Sequence, residues 1–170
     1  MDLEFINRQL DFNYAFAEEL VTDVPEHLMT CCPATGLENH PAFTLGHLAV
    51  ATAMTVHDLG GEGTIPELWN QLFMRKGPGD PTLPDSDAAR YPTKSELLRE
   101  LHRQHEQLKA LLLQRDFSSL SGVVEWRLSK YLPSDLDCTI FMCVAHESMH
   151  LGQLSAWRRG MELPSALGRM

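Results

Sequence analysis

His146-Glu147-Ser148-Met149-His150-Leu151-Gly152-Gln153-Leu154 carries two histidines four residues apart. On an α-helix such a pair projects from one face, one turn above the other, so both imidazoles can meet a single metal ion. A third candidate ligand lies far upstream, in Asn39-His40-Pro41-Ala42-Phe43-Thr44-Leu45-Gly46-His47-Leu48, where His47 sits in an apolar helical segment with little other use for it. Three neutral imidazoles suit Zn²⁺, Ni²⁺ or a similar borderline cation, and they leave coordination positions open to water or substrate. The pair alone is a weak signal in a chain with 8 histidines, because a buried histidine is more often a hydrogen-bonded core residue than a ligand.

Read letter for letter, His146-Glu147-x-x-His150 is also the HExxH of zinc metalloproteases, in which the Glu is the general base. The extended form of that motif fails here, since position 153 is Gln and position 156 is Ala, and Glu162 is the only later acid. Glu147 instead flanks the site, supporting a ligand, contacting a second subunit or acting as a base. His105 lies in the apolar row Leu98, Leu101, His105, Leu108, Leu112 and so faces the bundle interior, as a core residue or in touch with the metal or its water. Glu147 and His105 are therefore the two candidate catalytic groups beyond the ligands. Gln153 falls one turn past His150, and Cys143 one turn before His146. His27, His57 and His102 read as surface residues, His40 as part of a helix cap, and Arg158 and Arg159 as cations answering a helix dipole.

The elements that must position these residues are helices. Phe5, Ile6, Leu10, Asn13, Ala17, Leu20 and Val21 have helical spacing and stop near Pro25; a second helix runs from Pro41 to about Leu59, before Gly60-Gly61. Residues 61 to 92 are rich in Gly, Pro and Asp, with one short helical candidate from Pro66 to Met74 whose Trp69 and Phe73 cover a bundle edge or a partner. Such length exceeds what neighbouring antiparallel helices need, so this segment is expected to cross the bundle. Thr93-Lys94-Ser95-Glu96 is a capping box opening the third long helix. After an ambiguous stretch from Gln114 to Leu132, Pro133-Ser134-Asp135 opens the last helix, which ends at Arg158-Arg159-Gly160. With no alternating strand pattern and no repeat, the expected fold is all-α, a four-helix bundle with a long crossover between its second and third helices, in one domain over residues 1–170.

The formal net charge is -9, with 14 Lys plus Arg against 23 Asp plus Glu. That balance argues against nucleic-acid or anionic-membrane partners, which demand a basic face, and for a small-molecule substrate. No apolar run could span a bilayer and the acidic start lacks a secretory layout, so a cytoplasmic protein is expected. Cys31, Cys32, Cys138 and Cys143 show no CxxC spacing and read as free thiols.

Gly46-His47-Leu48, the helix start Tyr91-Pro92-Thr93-Lys94-Ser95-Glu96-Leu97-Leu98, and His146-Glu147-x-x-His150-x-Gly152-Gln153-Leu154 followed by Arg158-Arg159 together resemble the DinB-like proteins, four-helix bundles that include metalloenzymes. The resemblance covers the whole architecture. It implies a three-histidine site of His47, His146 and His150, and a homodimer. The activities it implies use low-molecular-weight thiols such as bacillithiol, mycothiol or glutathione, either transferring them to electrophiles or isomerising substrates with their help. Three readings follow: a metal-dependent thiol S-transferase, a hydrolase in which the ion lowers the pKa of water, and a non-catalytic metal-binding protein.

Overall fold

Thr93 and Glu96 close a reciprocal capping box at the head of a 20-residue helix, each side chain meeting the other's backbone N–H. Two of the four unpaired N–H groups at that helix start are thereby satisfied. The computed structural model describes residues 3–77, 80 and 82–170, so the reading of the 61–92 segment at positions 78, 79 and 81 lies outside the described residues. Its helices are α1 (Leu3–Val21), α2 (Pro41–Asp58), the short α3 (Glu67–Phe73), α4 (Lys94–Leu113), α5 (Asp135–Ile140) and α6 (Glu147–Gly160). A π-helical turn, Phe141–His146, joins α5 to α6 as one continuous helical run. Among the described residues there is no strand, only an isolated bridge between Val123 and Ser134. The chain is an all-α bundle, as the sequence predicts.

The packing fixes the direction of each helix. One apolar cluster gathers the end of α1 (Ala17, Leu20, Val21), the start of α2 (Phe43, Leu45, Leu48), the start of α4 (Leu97, Leu101) and the end of α6 (Leu154, Trp157). The other gathers Ile6 and Leu10 of α1, Val56 and Leu59, Leu108 and Leu112 of α4, and Cys143. Helices α1 and α6 therefore run one way, and α2 and α4 run the other. Parallel α2 and α4 cannot be joined by a short turn, which is why the link from Leu59 to Thr93 traverses the length of the bundle. It is pinned on the way. Gly63, at φ +53, lies so close to α2 that a Cβ would sit 2.2 Å from the Ala53 carbonyl oxygen, and Phe73 of α3 is fully buried against the first cluster. Trp69 and Phe73 thus cover an edge of their own bundle.

Between the two apolar clusters runs one polar layer, with a single residue from each long helix: Asn13, Thr52, His105 and Glu147, none more than 4 % exposed. Each takes the place of an apolar residue in its helix's inward row. A Glu buried at 2 % exposure must be hydrogen-bonded, since an unsatisfied buried group costs about 1–3 kcal/mol and a charged one more. Here Glu147 Oε1 accepts from His105 Nε2 at 2.8 Å and Oε2 accepts from Asn13 Nδ2 at 3.0 Å. The Thr52 hydroxyl lies 3.2 Å from Oε1 and also reaches the Leu48 carbonyl at 2.8 Å. Asn13 donates further to the Cys143 carbonyl at 3.1 Å.

Candidate metal centre

His47 is placed by the start of α2. His40 caps that helix, its Nδ1 accepting from Phe43 N at 3.1 Å, while its Nε2 donates to the Asp85 carbonyl at 3.0 Å and so ties the crossover to the helix start. Pro41 then fills the first turn, where its missing N–H costs nothing. His146 ends the π-helical turn, and His150 follows one turn into α6. The three rings form a triangle, with centroids 4.6 Å apart for His47 and His150, 4.6 Å for His146 and His150, and 5.3 Å for His47 and His146. One nitrogen from each lies within 4.8 Å of the others.

The hydrogen bonding of His47 suits a metal ligand. A backbone carbonyl can only accept, so the 2.8 Å contact between His47 Nδ1 and Phe73 O puts the proton on Nδ1 and leaves a lone pair on Nε2. That lone pair lies 3.3 Å from His146 Nε2. Two nitrogens about 2.05 Å from a tetrahedral ion stand about 3.3 Å apart, so the spacing fits two ligands of one cation. The Phe73 carbonyl is the kind of partner that fixes the ring orientation and tautomer of a ligating histidine. Nδ1 of both His146 and His150 is buried without a hydrogen-bond partner among the described residues.

Burial is the main force lowering the pKa of all three. His150 falls to about 3, helped by the nearby His47 and His146, and His146 falls to about 4, helped by His47 and Arg127. His47 is lowered by burial and by Arg75, against the opposing effect of its bond to the Phe73 carbonyl. At neutral pH all three rings are uncharged, the state that binds a metal. His47, His146 and His150 therefore fit a divalent cation in charge and spacing, and His47 also in tautomer.

The trio lines a cavity of about 810 Å³ that opens to solvent, the size of a small-molecule site. Its walls mix apolar side chains, Phe43, Met74, Leu83 and Met149, with Asn39, Gln153 and two arginines, Arg75 and Arg127. Gln153 accepts from Asn39 Nδ2 at 3.0 Å, which brings one turn of α6 to the loop before α2. Glu147 and His105 do not line this cavity; they point the other way, into the polar layer. Cys143 also lies away from it, in the second apolar cluster, where burial raises its thiol pKa. Arg158 does more than answer the helix dipole. At 1 % exposure, its guanidinium grips both Asp23 oxygens and the Leu20 carbonyl, anchoring α6 to the end of α1.

Several site residues carry no motif of their own. The Phe73 carbonyl is invisible to side-chain reasoning, and Arg75 and Arg127 lie in the irregular segments. Asn13 had a signal, being an amide inside an apolar row. The π turn had one too: Thr139, Cys143, Glu147 and Leu151 are buried at steps of four. A regular helix would carry such a row about 40° round per step. The extra residue of a π turn undoes that drift and keeps Glu147 in the bundle, with His146 on the cavity side.

Fold and site together define a helical bundle with a three-histidine centre at the floor of an open cavity. Residues 9–154 match the family model of the DinB superfamily, and the chain belongs to that superfamily. No match was found to a curated protein or to a solved structure.

Proposed function

We propose that this protein is a metal-dependent enzyme that transfers a low-molecular-weight thiol to an electrophilic small molecule, with the thiol held at the three-histidine centre. The observation that carries the reading is the set of three buried, uncharged imidazoles meeting where the cavity opens, since three protein ligands leave room for a reactant. His47, His146 and His150 would hold a divalent ion there, zinc or nickel by ligand type, which would supply the positive charge that lowers a thiol's pKa toward neutrality. His47, His146 and His150 bind, and the Phe73 carbonyl holds the His47 ring in orientation. Glu147 and His105 act as positioning residues, fixing the helix that carries His146 and His150. Phe43, Met74, Leu83 and Met149 offer the electrophile an apolar wall. In this reading the partners are small molecules rather than nucleic acid or membrane, and the protein acts in the cytoplasm as a homodimer; among the described residues no helix is long and apolar enough to cross a membrane.

The test is consumption of bacillithiol, mycothiol or glutathione by a panel of electrophiles, with zinc- or nickel-loaded protein and with chelated protein. Metal-dependent thiol loss with a conjugated product is expected. Hydrolysis of an ester or amide panel with no thiol consumption would overturn the proposal in favour of a hydrolase. Sedimentation of the loaded protein is expected to show a dimer, and a monomer at high micromolar concentration would contradict that assignment.

A further inference from the structure

The cavity holds charges that the three-histidine centre does not explain. In a chain of net charge -9, two arginines line it, and among the described residues neither is in an ion pair, although Arg75 lies near enough to Asp80 to help hold that carboxyl below its ordinary pKa. Arg75 follows α3 directly. Its guanidinium carbon lies 4.5 Å over the ring of Phe43, the same ring that stacks on His47 with centroids 5.7 Å apart. One of its N–H groups donates to Asn39 Oδ1 at 3.0 Å, and the rest have no partner among the described residues. A guanidinium carries five N–H donors, so a fork of donors remains free at this wall. Arg127 lines the cavity beside His146, from the loop before α5, with no hydrogen bond or ion pair among the described residues.

The two acids lining the same cavity are differently placed. Glu38 accepts from Gly36 N at 2.7 Å, and Asp80 accepts from Lys76 N and Thr82 N, each at 2.9 Å. The acids are held mainly by their own loops, Asp80 with some help from the charge of Arg75, while the arginines keep N–H donors without hydrogen-bond partners among the described residues. Asn39 holds both Arg75 and Gln153, so the Arg75 side is fixed to the α6 turn that follows His150.

We infer that Arg75 and Arg127 form an anion subsite beside the three histidines, and that the molecule bound there carries a carboxylate or phosphate which these arginines grip while its reacting atom reaches the His47, His146 and His150 centre. This deepens the thiol-transfer reading by naming the substrate class, an anionic one. Arginine suits the task because its planar fork matches either oxyanion with paired, charge-assisted hydrogen bonds.

The experiment uses full-length protein loaded with Co²⁺, whose visible spectrum changes when a thiolate joins the site. Mercaptosuccinate and 2-mercaptoethanol are titrated against the wild type, Arg75→Gln and Arg127→Gln, with thermal unfolding as a control for folding. Mercaptosuccinate is expected to bind at least ten-fold more tightly than 2-mercaptoethanol, and to lose that advantage as salt rises. Each arginine variant should lose most of the preference while binding 2-mercaptoethanol as the wild type does. Equal affinity for the two thiols, or a preference that survives in both variants, would overturn the subsite. Metal-free protein is titrated in parallel with succinate and with inorganic phosphate, which separates the two oxyanions. If neither thiol alters the cobalt spectrum, the thiol reading fails; saturable, arginine-dependent binding of succinate or phosphate would still uphold the subsite, and its absence would overturn it.

Discussion

Each histidine of the trio is held below its ordinary pKa by burial, which ties the stability of the metal-free chain to pH. His146 titrates at about 4 and His150 at about 3 in the folded chain, against about 6.5 when exposed on unfolding. Between those values the unfolded chain binds more protons, so the stability from keeping these rings neutral is complete above about pH 6.5 and is lost as pH falls toward 4. Metal-stripped protein should therefore melt several degrees lower at pH 5 than at pH 7, and His146→Gln should shrink that difference; an undiminished difference in the variant would contradict the account. His40, also buried and lowered, leaves part of the effect in place. The polar layer makes a second demand at this scale. Glu147→Gln would set an amide N–H₂ against Asn13 Nδ2 or His105 Nε2, leaving one buried donor unpaired at a cost of about 1–3 kcal/mol. Lower thermal stability and weaker metal retention against a chelator are expected together, at unchanged stoichiometry. Loss of stability alone would make Glu147 structural only, with no hold on His146.

At the scale of elements, the sharpest dependence is on Gly46. A Cβ there would fall 2.3 Å from Phe73 Cε1 and Cζ, inside a ring that is fully buried and has no room to retreat. Overpacking of this kind costs about 1–3 kcal/mol. Because the carbonyl of the same Phe73 holds His47 Nδ1, Gly46→Ala should both destabilise the fold and lower metal affinity by ten-fold or more in chelator competition. Destabilisation with unchanged affinity would separate the ring from the ligand. The helices themselves were readable: Thr93 and Glu96 announced the start of α4, and Pro41 that of α2, because local hydrogen-bonding chemistry sets a helix end. The histidine trio was readable for the same reason, since spacing of four and an apolar setting are local properties. The π turn was not, because a widened turn is imposed by packing against three other helices and leaves only the four-residue rhythm of Thr139, Cys143, Glu147 and Leu151. Nor was the Arg75 wall, which depends on where an irregular crossover lands.

Across the whole molecule, the antiparallel and parallel pairings place both ends of the site in one region: the start of α2 meets α6 because α1 and α6 run against α2 and α4. The crossover this topology requires also brings Phe73 and Arg75 to the site, so the link between α2 and α4 supplies the orienting carbonyl and a cation. The polar layer across the bundle then holds the turn from which His146 projects. All of this rests on one premise, that the whole chain binds one divalent ion at His47, His146 and His150. Elemental measurement of metal per chain in purified wild type and in His47→Ala, with circular dichroism confirming that the variant stays helical, tests it most directly. One zinc or nickel ion per wild-type chain and near-absence in the variant is the expected result. A folded His47→Ala protein that kept full metal occupancy would contradict the three-histidine centre and the function built on it.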